Sequence, residues 1–354
     1  MLTNANMGTV THTTLSADTR MRAAVLVEQG RVEMEQRPVP APDPGDVLIR
    51  VSSVGVCGSD THYYRHGRVG GFVVDAPLVL GHEAAGTIVG VGASVDPSRI
   101  GQRVSIEPQR PDPDSEETRR GHYNLCPHMR FFATPPVDGA LCDYVTIGAE
   151  FAHPVPDSMS DDAAALCEPL SVGIAAVRKA ELDGPGRTVL IAGAGPIGIV
   201  LAQLARAYGA TEIVVSDPDP TRRDRAMTFG ATAVIDPTVS EIADLGVDAF
   251  IDASGAAAAV AAGIRAVRSA GRVVLVGSGA ETMELPTQLI QNRELVLTGV
   301  FRYADTWPTA IALVESGRVD LDAMVTARFP LEKAAEALDS DKIPGSVKSV
   351  VTVS

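Results

Sequence analysis

Two short segments hold side chains that could bind a transition metal. The first is Cys57-Gly-Ser-Asp-Thr-His62, and the second, which begins 24 residues after Cys57, is Gly81-His82-Glu83. Thiolate, imidazole and carboxylate are ligand types of zinc, and three protein ligands leave one coordination position open for water or substrate. A single Cys or His is more often a core residue than a ligand, so the residue types alone leave both interpretations open.

A glycine-rich segment, Gly193-Ala-Gly195-Pro196-Ile197-Gly198, could bind the diphosphate of a dinucleotide. It fits the pattern G-x-G-x-x-G, follows a strand-like run and opens a helical stretch, which is the context that such a site requires. The first glycine would make a tight turn, the second would let the backbone approach the diphosphate, and the third would let helix pack on strand. The helix N-terminus would stabilise the phosphate charge. The alternative is a structural glycine turn in another doubly wound sheet.

An acidic residue follows the next strand-like run. Asp217 lies 24 residues after Gly193. A carboxylate at this position accepts hydrogen bonds from the adenosine ribose and repels a 2′-phosphate, so the sequence favours NAD over NADP. Arg222 and Arg223 leave NADP open, although both fit the exposed start of a helix.

The elements that would position these residues differ between the two halves of the chain. From residue 21 to about 150, Val- and Leu-rich runs such as Arg22–Val27, Val47–Val51 and Thr87–Val91 lie between Pro- and Gly-rich loops. From about residue 170, strand-like runs alternate with helical stretches such as Ile197–Tyr208 and Ala256–Ser269. The predicted strands there are Thr188–Ala192, Glu212–Ser216, Asp248–Ile251, Arg272–Val276 and Leu295–Val300. This alternation predicts an α/β fold with a parallel sheet covered on both faces.

Composition argues against several classes of protein. A net charge of −14 over 354 residues disfavours a nucleic-acid partner, which requires a basic surface. Four cysteines without CxxC spacing are too few for a disulfide scaffold and suit a reducing cytoplasm. Residues 1–20 are polar, lack the apolar run of a signal peptide, and are interpreted as a flexible extension. The apolar stretch from Thr188 to Ala205 contains Gly-Ala-Gly-Pro, so a buried strand, turn and helix explain it better than a membrane span.

From Met21 onward the sequence resembles the zinc-dependent medium-chain dehydrogenases/reductases. The segment Gly81-His82-Glu83-x-x-Gly86-x5-Gly92-x-x-Val95 matches the zinc signature of that family, and Cys57-Gly-Ser-Asp stands at its first-ligand spacing. Four segments are most similar to the branch of sorbitol and xylitol dehydrogenases: Cys57–Tyr64, Ala133–Pro136, Glu168–Gly173 and Val300–Tyr303.

The resemblance implies two domains and two cofactors. It predicts a mostly-β GroES-like catalytic domain at residues 21–168 and 305–354, and a doubly wound Rossmann domain that binds NAD at residues 169–304. It assigns a catalytic zinc to Cys57, His82 and Glu83. It also implies an oligomer, for which we expect a homotetramer, and a small polyol substrate rather than a nucleic-acid or membrane partner.

Around the metal, the resemblance gives further residues a role. Glu168 corresponds to a glutamate beside the zinc, and we expect it to contact the metal through water or substrate, with direct ligation as the alternative. Cys167 lies one position out of register and is not expected to be a ligand. Asp60 is a candidate for orienting His82.

One part of the family pattern is missing. Many relatives hold a structural zinc in a lobe with C-x2-C-x2-C-x7-C, but in this chain the first three positions are Asp112, Ser115 and Thr118, and only Cys126 remains. Structural zinc sites are closed by Cys and His, so the sequence predicts one zinc per chain, with Cys126 as a small buried apolar residue.

The resemblance also suggests how protons and substrate are handled. Ser59 and His62 resemble the proton relay of alcohol dehydrogenases, although a relay through water and Glu168 is possible and His62 could be an ordinary loop residue. A polyol requires several hydrogen-bonding groups, since each hydroxyl loses water on binding. The candidates are Ser59, Tyr63, Glu168, Arg302 and Tyr303, with Phe131 or Phe132 as an apolar wall; Tyr303 could instead be a core or interface aromatic. Residues expected beside the cofactor are Pro196, Ile197, Arg222, Val276, Gly277, Ser278, Val300, Phe301 and Arg302.

Two other functions are also compatible with these residues. One is a dehydrogenase of the same family that acts on another alcohol or an amino alcohol. The other is a zinc-free reductase or a non-catalytic NAD-binding protein, which would be expected to lose Cys57 or the His82–Glu83 pair.

Overall fold

The structure, a computed structural model, describes residues 19–243 and 245–354. The predicted extension at residues 1–20 lies outside the described residues except for its last two positions, and Arg20 already begins the first strand. Among the described residues, no helix combines the length and apolar character needed to cross a membrane.

The strands, in chain order, are β1 (Arg20–Glu28), β2 (Arg31–Pro38), β3 (Asp46–Gly55), β4 (Arg68–Val69), β5 (Phe72–Val73), β6 (Leu78–Val79), β7 (Glu83–Val91), β8 (Arg103–Ile106), β9 (Gln109–Arg110), β10 (Arg130–Phe131), β11 (Tyr144–Gly148), β12 (Ala152–Pro154), β13 (Thr188–Ala192), β14 (Glu212–Ser216), β15 (Ala233–Ile235), β16 (Val247–Asp252), β17 (Val267–Leu275), β18 (Val296–Gly299), β19 (Val325–Pro330) and β20 (Lys348–Thr352).

The α-helices follow in the same order: α1 (Gly58–His66), α2 (Glu116–Arg119), α3 (Asp161–Ala165), α4 (Cys167–Lys179), α5 (Pro196–Ala207), α6 (Pro220–Thr228), α7 (Ala257–Ala266), α8 (Thr287–Asn292), α9 (Trp307–Glu315) and α10 (Ala334–Leu338).

The first half of the chain forms mainly antiparallel sheets that enclose one apolar core. The larger sheet has the order β12-β8-β7-β3-β20-β19, and β11 also pairs with β3. A smaller sheet, β2-β1-β6, packs beside it through side chains such as Val25, Ile49 and Ile88. Strands β19 and β20 come from the end of the chain, so both ends of the described sequence contribute to this part of the fold.

The second half forms a parallel sheet with the order β15-β14-β13-β16-β17-β18. Its central strands are apolar and buried because helices cover both faces. The order reverses between β13 and β16, and ligands of doubly wound sheets bind at the carboxyl ends of the strands at such a point. The predicted fold class is therefore confirmed: a mostly-β part and a doubly wound α/β part.

Two predicted elements are longer than the observed ones, and the strand expected at Leu295–Val300 spans only Val296–Gly299. The helix expected at Ala256–Ser269 ends at Ala266, because Val267 already pairs with Val247 at the start of β17. Ala270 has a left-handed φ of 59°, which a continuing helix would not permit. The proposed domain boundaries at 168/169 and 304/305 stay a prediction.

Candidate active site

The three potential zinc ligands meet where two antiparallel strands end and begin. Cys57 follows β3 and is the N-cap residue of α1, while Glu83 begins β7 directly after His82. The pairing of Gly55 with Glu83 brings these strand ends together. One ligand atom from each of Cys57, His82 and Glu83 lies within 4.8 Å of the other two. Three donors of these types at this spacing fit one zinc ion.

The surroundings of Glu83 also fit a cation. Its side chain is fully buried, and Oε1 accepts a hydrogen bond of 2.5 Å from the ammonium group of Lys348. Oε2 has no hydrogen-bond partner among the described residues. A Cβ on Gly55 would lie 2.1 Å from this oxygen, so glycine is required to leave it room. A buried carboxylate oxygen without a partner is costly, and a bound metal ion would satisfy it.

Lys348 belongs to none of the sequence motifs described above. It is 3% exposed and donates also to the carbonyl of Val56. Burial lowers the pKa of Lys348, but the attraction of Glu83, Cys57 and Glu168 and the hydrogen bond to Glu83 together outweigh it, so the net pKa is raised. Removing one partner of such a buried ion pair costs about 3–5 kcal/mol. The only indication in the sequence is a lysine at the start of a short valine-rich run, Lys348–Val353.

Asp60 lies where it can orient His82. Its Oδ1 is 3.5 Å from His82 Nδ1 and accepts a hydrogen bond from the amide of Gly81, while Oδ2 accepts one from the amide of Cys57. Burial raises the pKa of Asp60, but the attraction of His82 and these hydrogen bonds outweigh it and hold the pKa below its usual value. One carboxylate thus fixes the backbone beside both His82 and Cys57.

Glu168 lies near this group but outside the set of three. It occupies the first turn of α4, is 5% exposed, and its Oε1 accepts a 2.7 Å hydrogen bond from the hydroxyl of Tyr303. Burial and the repulsion of Glu83 raise its pKa to about 7, against the lowering effect of His82. Cys167 is fully buried, its thiol donates to the carbonyl of Ala163, and burial raises its pKa to about 12. It lies outside the group formed by Cys57, His82 and Glu83.

Aromatic and cationic side chains form one wall beside His82. The ring of Phe131 lies 5.6 Å from that of His82, and the guanidinium of Arg302 lies 4.0 Å above the Phe131 ring. Phe132 packs into the core of the antiparallel sheets, so of the two phenylalanines only Phe131 fits the expected wall. Arg302 has a left-handed φ of 57°, and burial lowers its pKa.

The two tyrosines of the predicted substrate set are both buried. Tyr63 is 4% exposed in α1, and burial raises the pKa of its phenol. Tyr303 is 1% exposed and packs edge-on against Trp307, with ring centres 5.0 Å apart. Tyr303 therefore combines the core aromatic role with a polar one, because its hydroxyl reaches Glu168.

The predicted relay residues lie at the start of α1. Ser59 is half-buried and His62 is exposed. His62 lines a cavity of about 250 Å³ that also contacts Cys57, Gly195 and Pro196. The cavity thus extends from Cys57, one of the potential metal ligands, to the glycine-rich turn of the parallel sheet.

That turn has the geometry expected of a dinucleotide site. Gly193 has a left-handed φ of 96°, and a Cβ on Gly198 would lie 1.8 Å from the carbonyl of Gly193. Gly195 faces open space, which leaves room for a ligand at the N-terminus of α5. Val276, Gly277 and Ser278 follow β17, and Val300 follows β18, so they lie at the same carboxyl edge of the sheet.

Asp217 and the nearby arginines differ in their environments. Asp217 is 5% exposed at the end of β14, and its carboxylate accepts hydrogen bonds from the amides of Ala194 and Asp219. Arg223 is committed to an ion pair of 3.1 Å with Asp236. Arg222 is exposed and lines the cavity, so of the two arginines it is the one that faces the cleft.

The lobe that lacks three cysteines is closed by hydrogen bonds. Cys126 is buried as predicted, but it is not in an apolar environment: its sulfur accepts a hydrogen bond of 3.2 Å from the amide of Asp112. Burial raises the pKa of Cys126. Hydrogen bonds from Ser115, Thr118 and the backbone together lower it by more, so the net pKa is below its usual value. Cys126 is therefore buried as expected, and its sulfur also takes part in hydrogen bonds with the residues at the other ligand positions of the lobe.

We expect elemental analysis of the purified protein to give about one zinc per chain. The hydroxyls of Ser115 and Thr118 bond to each other at 2.9 Å, and neither residue type closes a structural zinc site. Inductively coupled plasma spectrometry on dialysed protein would measure the ratio. A second zinc that survives dialysis and is lost in Cys126→Ser would contradict this account of the lobe.

Comparison with known proteins places this site in a family. The sequence model of the alcohol dehydrogenase GroES-like domain matches residues 43–157, and that of the zinc-binding dehydrogenases matches residues 196–316. Because relatives more than 40% identical extend over most of its length, the chain belongs to the zinc-dependent medium-chain dehydrogenase/reductase family. Its members carry out oxidoreduction with zinc and a nicotinamide cofactor. In this chain, Cys57, His82 and Glu83 fit the zinc, and the glycine-rich turn fits the cofactor.

Within the family, the chain is similar to sorbitol dehydrogenases. It is 45% identical to that of Homo sapiens, with 88% of this chain and 90% of that protein covered. It is 41% identical to that of Bacillus subtilis (strain 168), with 90% and 93% covered. Among solved structures, L-idonate 5-dehydrogenase from Escherichia coli superposes with a TM-score of 0.89 at 28% identity, over 95% of this chain and 99% of that one.

Proposed function

We propose that this protein oxidises a secondary hydroxyl of a polyol, of the sorbitol or xylitol type, to a ketose and transfers the hydride to NAD. The observation that carries the proposal is the set of polar groups beside the potential zinc ligands. Glu168 is hydrogen-bonded to Tyr303, and Arg302 lies over the Phe131 ring beside His82. A small apolar alcohol would leave the hydrogen-bonding capacity of these groups unused. The similarity to sorbitol dehydrogenases supports the same substrate class.

Each group of residues has a defined task in this proposal. Cys57, His82 and Glu83 hold the zinc, with Lys348 and Asp60 fixing two of them. When bound, zinc supplies Lewis acidity at the substrate hydroxyl and NAD supplies the hydride acceptor. The hydroxyl proton leaves through Ser59 and His62 towards solvent, with the exposed His62 as the last group.

The remaining residues position substrate and cofactor. Glu168 and Tyr303 hold substrate hydroxyls and restrict how the polyol lies, while Tyr63, Phe131 and Arg302 shape the wall. The cofactor would lie across Gly193–Gly198, with Asp217 at the adenosine ribose and Arg222 at the edge of the cleft. The residues on its nicotinamide side would be Val276, Gly277, Ser278, Val300 and Phe301.

A substrate panel tests this function directly. Zinc-loaded protein with NAD should give NADH absorbance with sorbitol, xylitol or a related sugar alcohol, at a kcat/KM well above that for ethanol, propan-2-ol or threonine. Preference for threonine would instead assign an amino-alcohol dehydrogenase of the same family. No turnover with any of these alcohols would contradict catalysis of this type.

Cofactor choice gives a second prediction. We expect Asp217→Ala to weaken NAD binding and to reduce the preference for NAD over NADP, because the carboxylate that repels a 2′-phosphate is gone. Titration of each variant with both cofactors, followed by fluorescence, measures the change. Asp219→Ala is a suitable control, since Asp219 caps α6 nearby and is not proposed to contact the ribose. Equal use of NAD and NADP by the unmodified protein would contradict the role of Asp217.

We also propose that the protein is a cytoplasmic homotetramer. Strand β18 is at the edge of the parallel sheet and exposes Val296 and Leu297, and Phe301 just beyond it is 51% exposed. An exposed apolar edge strand favours pairing with a second copy. All four cysteines are free, which suits a reducing compartment. Light scattering at several concentrations would give the oligomeric state.

A further inference from the structure

Two exposed histidines lie side by side on α1, outside the group of potential zinc ligands. His62 and His66 are four positions apart, which places them on the same face of the helix. Their ring centres are 5.5 Å apart, with an angle of 46° between the ring planes. Both rings line the cavity that separates α1 from the glycine-rich turn.

This spacing matches that of two imidazoles on one metal ion. With Zn–N bonds of about 2.0–2.1 Å and tetrahedral angles, the centres of two ligating imidazole rings lie roughly 5 Å apart. Imidazole suits zinc, copper and nickel, whereas magnesium and calcium prefer oxygen ligands. The ring spacing is therefore compatible with a shared transition-metal ion, and a single helix carries both rings.

The charges around the pair decide what kind of ion it can hold. Arg65 lies between the two histidines in sequence and is committed to ion pairs with Asp339 and Asp341. Arg222 and Arg225 line the same cavity and repel cations, and the one carboxylate among its lining residues, that of Asp341, is paired with Arg65. General electrostatic attraction is thus weak at this pair, and an ion must be held by coordination bonds to the nitrogens. This selects transition metals over hard divalent cations.

We propose that His62 and His66 form a second metal site, which binds a divalent transition-metal ion reversibly and inhibits the enzyme when it is occupied. Two protein ligands, with water completing the coordination, make this site weaker than the one formed by Cys57, His82 and Glu83. Inhibition follows from the location. The ion coordinates a ring nitrogen of His62, which is the last group of the proposed proton relay, so that nitrogen can no longer accept the proton. The ion also fills part of the cavity beside Gly195. The inhibitory part of the proposal rests on the proposed function, whereas the binding part does not.

Calorimetry on the untagged, zinc-loaded full-length protein tests the binding part. Zinc chloride added beyond the resident ion should give a further saturable binding event in the unmodified protein. In His66→Gln its affinity should fall by at least about tenfold, since even a lost outer-shell partner of a metal costs roughly 10–100-fold. His122→Gln, which removes another exposed histidine, should bind the further zinc as the unmodified protein does. Magnesium chloride should give no comparable event.

The outcomes separate the parts of the proposal. Equal zinc affinity of His66→Gln and the unmodified protein would overturn the site, and so would magnesium binding of similar strength. The inhibitory part is tested by the rate of NADH formation with the preferred polyol as zinc is raised. The rate should fall in the unmodified protein and be restored by dilution, and higher zinc should be needed in His66→Gln. A further zinc that leaves the rate unchanged would overturn inhibition, and an absence of polyol oxidation would leave the calorimetric result standing.

Discussion

Cys57→Ala is expected to lose the zinc and, with it, at least about a thousandfold in kcat/KM, because Lewis-acid stabilisation by a metal is worth several kcal/mol. The substitution removes the thiolate from a set of three donors and leaves only His82 and Glu83 within the group. Elemental analysis after dialysis and the rate of NADH formation measure the two effects. Lys348 stays paired with Glu83, so we expect the variant to fold.

A matched control comes from the cysteine of the lobe. Cys126→Ser keeps a hydrogen-bonding group among Ser115, Thr118 and the amide of Asp112, and it should retain about one zinc per chain. If Cys57→Ala kept its zinc while Cys126→Ser lost it, the metal would lie in the lobe, and our assignment of the catalytic ligands would be wrong.

Glu168→Gln is expected to keep its zinc while kcat/KM falls by about tenfold to a thousandfold, the range that loss of a general acid–base or positioning group costs. Glu168 lies outside the set of three donors, and its Oε1 is already bonded to Tyr303. Glutamine keeps the size and the hydrogen bond but removes the charge. Burial raises the pKa of Glu168 to about 7, and a cation nearby would favour the ionised form that glutamine cannot provide.

Comparison with Cys57→Ala separates the two possible roles of Glu168. If Glu168→Gln lost as much zinc as Cys57→Ala, Glu168 would be a direct ligand and the ligand set would have to be revised. Tyr303→Phe provides an intermediate case, because it removes the hydroxyl that bonds to Glu168 and is proposed to hold the substrate, but leaves the carboxylate of Glu168 in place. We expect it to keep the zinc and to lose less kcat/KM than Glu168→Gln.

Elements defined by a local pattern were predicted well from the sequence. The glycine spacing of Gly193–Gly198 and the apolar runs of β13 and β14 depend on neighbours in the chain, and both strands have the predicted bounds. The end of α7 was less predictable, because the Ala-rich run continues to suit a helix where pairing with β16 imposes a strand. Sheet pairing is a long-range interaction, and local propensity does not report it.

At the metal site, too, local sequence patterns and long-range packing decided different properties. The sequence by itself determined which chemistry was possible, since the residue types of Cys57, His82 and Glu83 and their family spacing do not depend on packing. Only the tertiary structure decided how the charges are compensated, because Lys348 reaches Glu83 across 265 positions of the chain. It also decided that Phe131 rather than Phe132 faces His82, and that the sulfur of Cys126 accepts hydrogen bonds. Burial and hydrogen-bond partners arise when distant segments pack together, so a pattern of neighbouring residues cannot specify them.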